Sequence, residues 1–159
     1  MHASMGLAAI IIAGMSSSFR VRRADWERDH EHLRRIREAV FVSEQHVPSA
    51  LEWDGSDASC AHVVAEDRDG APIGTGRLLP GGHIGRMAVL PNWRRRGVGS
   101  ALLIELVRWA TEQGLTEVVL NAQTHALGFY QRHGFSAEGE VFLDAEIDHQ
   151  RMRRVLGKF

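Results

Sequence analysis

The sequence predicts an α/β domain: one mixed, mostly antiparallel sheet of about seven strands flanked by helices. Three observations carry this. Helical and strand periods alternate along the chain, so helices and strands are interleaved. Turn signals split the middle of the chain into three short strands, which reads as a meander. The 159 residues are 44% apolar and 25% charged, the balance of one domain that buries its own core.

Each element follows from local chemistry. Phe19 to Arg23 reads as a first strand. Asp25 is a helix cap, and Leu33, Ile36, Val40 and Phe41 share one face of a helix running from Trp26 to about Val42. Residues 45–57 read as a loop broken by Pro48 and Gly55, with Glu52, Asp54 and Asp57 as a solvated acidic stretch. Ala61 to Glu66 and Pro72 to Leu79 form a hairpin about Asp69-Gly70, and His83 to Leu90 is the third strand. Residues 97–113 form an amphipathic helix stopped by Gly114. Thr116 to Ala122 is a strand, Ala126 to His133 a short helix closed by Gly134, and residues 138–143 and 149–155 the last strand pair.

Composition excludes several classes. Nineteen basic and twenty acidic residues leave a net charge of −1, so the chain is no general nucleic-acid binder. The single cysteine, Cys60, excludes an internal disulfide and a cysteine zinc site. The histidines show no metal spacing, and no metal is expected. The apolar run Gly6 to Gly14 is too short for a span, which needs about 20 residues. Met1 to Met5 carries no Lys or Arg, as a signal peptide would. Residues 1–18 are expected to be a flexible extension, with Met15 as an alternative start, before a domain over 19–159 in the cytoplasm.

The chemistry concentrates at Arg94-Arg95-Arg96-Gly97-Val98-Gly99-Ser100, after a strand and at the start of a helix. A helix start offers unpaired N–H groups and the positive end of the dipole. Glycines admit close approach of an anion, and arginines match its charge, so this is a candidate site for phosphate or pyrophosphate, the alternative being a solvated basic turn with a Gly-rich helix start. No Lys-Ser or Lys-Thr pair follows, and Leu102 stands where the dinucleotide fingerprint has its third glycine.

Arg94-x-x-Gly97-x-Gly99 resembles the acetyl-CoA signature of the GNAT acyltransferase superfamily. Gln123-x-x-Ala126-x-x-x-Tyr130-x-x-x-Gly134-Phe135 resembles that family's second block, with Gln123 where the family has Asn and Asn121 two residues earlier. Phe41-Val42-x-Glu44-Gln45-x-Val47-Pro48, Gly74-Thr75-Gly76-Arg77-Leu78 and Asp148-His149-x-x-Met152-Arg153 look like the narrower ElaA-type branch. The resemblance covers residues 19–157.

It implies a sheet splayed in its middle and transfer of acetyl from acetyl-CoA to an amine by direct attack. Coenzyme A is the co-substrate, and the partner is a small-molecule or protein amine, with a homodimer compatible. The pyrophosphate falls to Gly97, Val98, Gly99 and Ser100 with Arg94, Arg95 and Arg96, and the pantetheine to the strand edge at Met87, Ala88 and Val89. Asn121 or Gln123 is a further cofactor contact. Tyr130, the only tyrosine, is the candidate acid for the departing thiolate. His83 is the candidate base, on a face shared with Gly85, Met87 and Val89; Glu44 and His149 compete with it. Arg77 either holds a substrate carboxylate or pairs with the acidic stretch. A catalytically degenerate acyl-CoA-binding module is the alternative.

Overall fold

In the computed structural model, which describes residues 18–157, seven strands form one sheet in the order β1-β2-β3-β4-β5-β7-β6. They are β1 (Phe19–Ala24), β2 (Ala61–Asp67), β3 (Pro72–Leu78), β4 (His83–Val89), β5 (Glu117–Gln123), β6 (Ser136–Asp144) and β7 (Ile147–Val155). Every neighbouring pair is antiparallel except β4 with β5. Apart from Ser18, the expected N-terminal extension lies outside the described residues.

The α1 helix (Trp26–Arg37) starts where Asp25 accepts from the Glu27 amide. It lays Leu33 and Ile36 on Val64 and Ala88, a small core on one face of the sheet. The helix α3 (Val98–Glu112) covers the other face, where Leu102, Leu103 and Leu106 are fully buried in the larger core. The short helix α4 (Leu127–Gln131) follows a 3₁₀ turn and ends before Gly134, whose φ is +86°.

Several expectations need correction. The first helix does not run on as α-helix to Val42. After Arg37 it widens into a π-helix, Glu38–Glu44, in which the Gln45 amide reaches back to the Val40 carbonyl. Residues 45–57 are not wholly loop: they hold a helical turn, α2 (Ser49–Glu52), and the 3₁₀ turn Asp57–Ser59 begins at their end. Nor is the acidic stretch solvated. Glu52 and Asp57 are buried because Arg37, itself only 1% exposed, binds both, at 2.8 Å and 2.7 Å. Arg77 completes the cluster through Asp54 and Asp57, as the pairing alternative anticipated. The last hairpin is longer than the sequence suggests, because it turns on Ala145 and Glu146, both at positive φ without glycine.

Two irregularities in β4 shape the site. It pairs with β5 only at His83↔Val119 and Ile84↔Leu120, then the strands part. This is the expected splay. In addition, Thr75 faces Ala88 while Arg77 faces Gly85, so Arg86 and Met87 together oppose Gly76. Arg86 sits at φ +50°, a bulge. Glycine stands opposite it, where a Cβ on Gly76 would lie 2.6 Å from the Met87 sulfur and 2.9 Å from Leu106 and so force both side chains to shift. The bulge reverses the side-chain alternation. Ile84, Met87 and Val89 all pack toward the α3 core, and Ala88 packs toward α1. His83 therefore does not share a face with Met87 and Val89, contrary to the period-2 reading.

Candidate active site

A cleft of about 840 Å³ opens where β4 leaves β5. One wall is the β4 edge from Gly85 to Val89, whose outer side has no strand against it. The π-helix contributes Phe41 and Glu44, β5 contributes Asn121 and Gln123, and α4 contributes Phe129 and Tyr130. The β6–β7 turn and His149 close the far end.

At the mouth, Gly97 caps α3 in the left-handed region, with φ +84° and no side-chain cap. The first helical bond runs from the Ala101 amide to the Gly97 carbonyl. The amides of Val98, Gly99 and Ser100 are therefore first-turn donors without an intrahelical acceptor. Gly99 keeps the helix close to α4, since a Cβ there would meet the Phe129 ring at 3.4 Å. The Val98 side chain is buried, and the Ser100 hydroxyl hydrogen-bonds His133 Nε2 at 2.9 Å. Arg95 and Arg96 are exposed, Arg96 stacking over Trp93. Arg94 turns inward: its Nε donates to the Val89 carbonyl, and both terminal nitrogens bind Glu44, each at 2.7 Å.

Tyr130 packs against the α3 core, edge-on to Phe129 and Phe135. Burial pushes its phenol up to about 12. At working pH the resting group is therefore the neutral phenol, a hydrogen-bond donor. Glu44 is held below the usual carboxylate range by Arg94. His83, at the closed end of the splay, is half-buried. Burial, then the charges of Arg151, Arg77 and Arg86, push its pKa down.

Strand alternation buries Leu120 and Ala122 toward α3 and turns Asn121 and Gln123 to the opposite face. Asn121 is exposed in the cleft. Gln123 donates to Gln45 Oε1 at 3.0 Å, a link from the end of β5 to the end of the π-helix. Gln45 stood in the sequence motif, but nothing in the sequence announced this contact. Glu52 and Arg86 are two further cleft residues that the sequence reading did not place there. Arg86 reaches Glu52 at 3.2 Å and bonds the Leu51 and Glu52 carbonyls, tying the bulge to α2. Burial raises the Glu52 pKa against the pull of its arginines.

Comparison with known proteins agrees with this geometry. A family model described as an acetyltransferase (GNAT) domain matches residues 26–156. The uncharacterized N-acetyltransferase YjcF of Bacillus subtilis is 39% identical over 123 residues, covering 75% of this chain and 87% of that protein. The crystal structure of an acyl-CoA N-acyltransferase from Pseudomonas aeruginosa superposes with a TM-score of 0.77 at 33% identity, over 86% of this chain and 99% of the other. That of Escherichia coli ElaA gives a TM-score of 0.77 at 27% identity, again over 86% of this chain and 99% of the other.

Proposed function

The chain belongs to the GNAT acetyltransferases, and on that premise we propose that it transfers acetyl from acetyl-CoA to an amine by direct attack, in the cytoplasm. The observation that carries this reading is the splay. A strand edge that no β5 residue pairs with runs from Gly85 to Val89, and the open N-terminus of α3 stands at its end. That is the shape required by a ligand with a peptide-like arm and a pyrophosphate.

In this reading the pantetheine amides pair with Met87, Ala88 and Val89. The pyrophosphate lies on the amides of Val98, Gly99 and Ser100, with Arg94, Arg95 and Arg96 supplying charge. Of the two β5 amides Asn121 is the cofactor contact, because Gln123 Nε2 already binds Gln45. The amine attacks the thioester carbonyl, the N–C bond forms, and the C–S bond breaks. Tyr130 protonates the departing sulfur. The amine loses its proton on the opposite face of the sheet, where His83 is the residue singled out by the sequence.

Two measurements test this. Calorimetry should show coenzyme A binding to the wild-type protein. A panel of primary amines with acetyl-CoA should then release free thiol. Binding without thiol release from any amine would leave the chain an acyl-CoA-binding module.

A further inference from the structure

Resting on the acyltransfer reading, we infer that His149 of β7 is the group that takes the amine's proton. His149 lines the cleft and is 8% exposed. Its Nδ1 lies 2.7 Å from the Ile147 carbonyl. A carbonyl only accepts, so Nδ1 carries the hydrogen, and in the neutral ring Nε2 holds the lone pair. The backbone therefore fixes the tautomer that a base needs.

Position favours it as well. His149 is paired with Gln123, and Phe142 stacks on its other side. The β4–β5 register sets His83 beside Val119 and Ile84 beside Leu120. Continued along the strands, it brings Gln123 level with Met87 and, past the bulge, Ala88. His149 thus stands across from the edge proposed to hold the pantetheine. His83 stands four residues back along β5, roughly 13 Å, where the strands are still joined. Tyr130 packs with the α3 core, whereas His149 shares its face with Asn121 and Gln123. Acid and base then lie on opposite faces of the splayed sheet, so neither neutralises the other.

The other titratable groups at this end are engaged in ion pairs, surrounded by cations or exposed. Glu44 is bound to Arg94, and Glu52 to Arg37 and Arg86. Glu138 of β6 pairs with Arg151 and Arg153 of β7. His83 lies in a field of arginines. Asp144 on the hairpin turn and His125 beyond the end of β5 also line the cleft, but both are exposed and neither tautomer nor orientation is fixed by a backbone bond as it is for His149.

The step balances. Nε2 accepts the proton that converts the bound ammonium into the attacking amine and returns it to solvent. After the N–C bond forms and the C–S bond breaks, the second nitrogen proton leaves to water. The Tyr130 hydroxyl protonates the thiolate and is restored from solvent.

The variant His149→Asn keeps an N–H for Ile147 and lacks the Nε2 lone pair. Its kcat should fall about 10²-fold or more at neutral pH, the general-base range, while KM for acetyl-CoA and the melting temperature stay put. The acidic limb of the kcat profile should vanish, and rate should return at high pH where the free amine is abundant. Nitrogen-15 spectra of the wild-type imidazoles should show a neutral ring protonated at Nδ1 that is absent from His149→Asn, distinct from that of His30, whose Nδ1 also faces backbone carbonyls. If the signal that His149→Asn removes is instead that of a ring protonated at Nε2, the inference is overturned, as it is by an unchanged pH profile in His149→Asn beside a lost limb in His83→Asn. A wild-type protein that binds coenzyme A and acetylates no amine overturns the acyltransfer reading itself, a separate result.

Discussion

Glu44 and Arg94 face each other fork to fork, each terminal nitrogen of Arg94 donating to one carboxylate oxygen at 2.7 Å. The sequence offered them for different tasks, one as a base and one as a pyrophosphate ligand. The fold joins them: Glu44 ends the π-helix, and Arg94 begins the turn into α3 while holding the Val89 carbonyl. The pair thus ties the acceptor-side wall to the phosphate turn. An incoming pyrophosphate would compete with Glu44 for the same guanidinium.

Glu44→Gln should therefore tighten coenzyme A rather than disable chemistry. Both partners are more than a third exposed, so the gain is modest, about two- to fivefold at low salt, and it should fade as salt screens the site. Calorimetry at two salt concentrations checks this. Weaker binding by Glu44→Gln at low salt would show that the carboxylate orders the turn instead of competing for it.

Gly97→Glu and Gly99→Glu should each weaken coenzyme A at least tenfold, roughly 1.4 kcal/mol. Both place negative charge where the anion must lie. They differ in structure: at φ +84° any side chain on Gly97 is strained, whereas Gly99 is limited by the Phe129 ring. Gly97→Glu should accordingly also lower the melting temperature. Normal affinity in both folded variants would remove the phosphate site from the helix start.

The strand and helix order was legible because each element carries its own period and stop, as in Asp25, Asp69-Gly70 and Gly114. The glycine and arginine turn into α3 was legible because its residues are contiguous. What escaped depends on contacts far apart in sequence. The bulge at Arg86 needs Gly76 and α2 to form, so the face of His83 could not be read from alternation within β4. The π-helix leaves no composition signature. The acidic stretch looked solvated because its neutralising arginines, Arg37 and Arg77, lie 20 residues away on either side of Asp57.

That buried cluster should dominate stability. Arg37→Ala leaves Glu52 and Asp57 buried without their main partner, a loss of about 3–5 kcal/mol. Arg37→Lys should recover only part of it, since one ammonium cannot serve both acids from opposite ends of a fork. Denaturant melts would measure this, and a loss under about 1 kcal/mol for the alanine variant would mean that water fills the site and solvates both acids.

His62 predicts an acid-side weakness. It is buried, stacked on Trp26, and Nε2 donates to the Asp57 carbonyl. Burial lowers its pKa below 6.5. A folded pKa below the unfolded one means stability that is complete above pH 6.5 and is lost as pH falls through the folded value. The melting temperature should therefore drop as pH falls below about 6.5, and His62→Gln, which keeps a donor but cannot charge, should flatten that drop. Parallel pH curves for the two proteins would assign the acid loss elsewhere.

Tyr130 gives the clearest pH signature of the reaction. With its pKa raised to about 12, the phenol is protonated throughout the range in which the protein is folded and assayed. Its loss of a proton cannot produce an alkaline limb near pH 9 or 10. Tyr130→Phe should lower kcat by about 10²–10⁴-fold, with little change in KM for acetyl-CoA, because the hydroxyl acts only as charge develops on sulfur. The shape of the profile below pH 10 should be the same in both proteins. Steady-state rates from pH 6 to 10 with one accepted amine decide it. A wild-type alkaline limb near pH 9 that disappears in Tyr130→Phe would mean that the phenol ionises in the working range, and that its burial does not hold the proton as the packing of Phe129 and Phe135 implies.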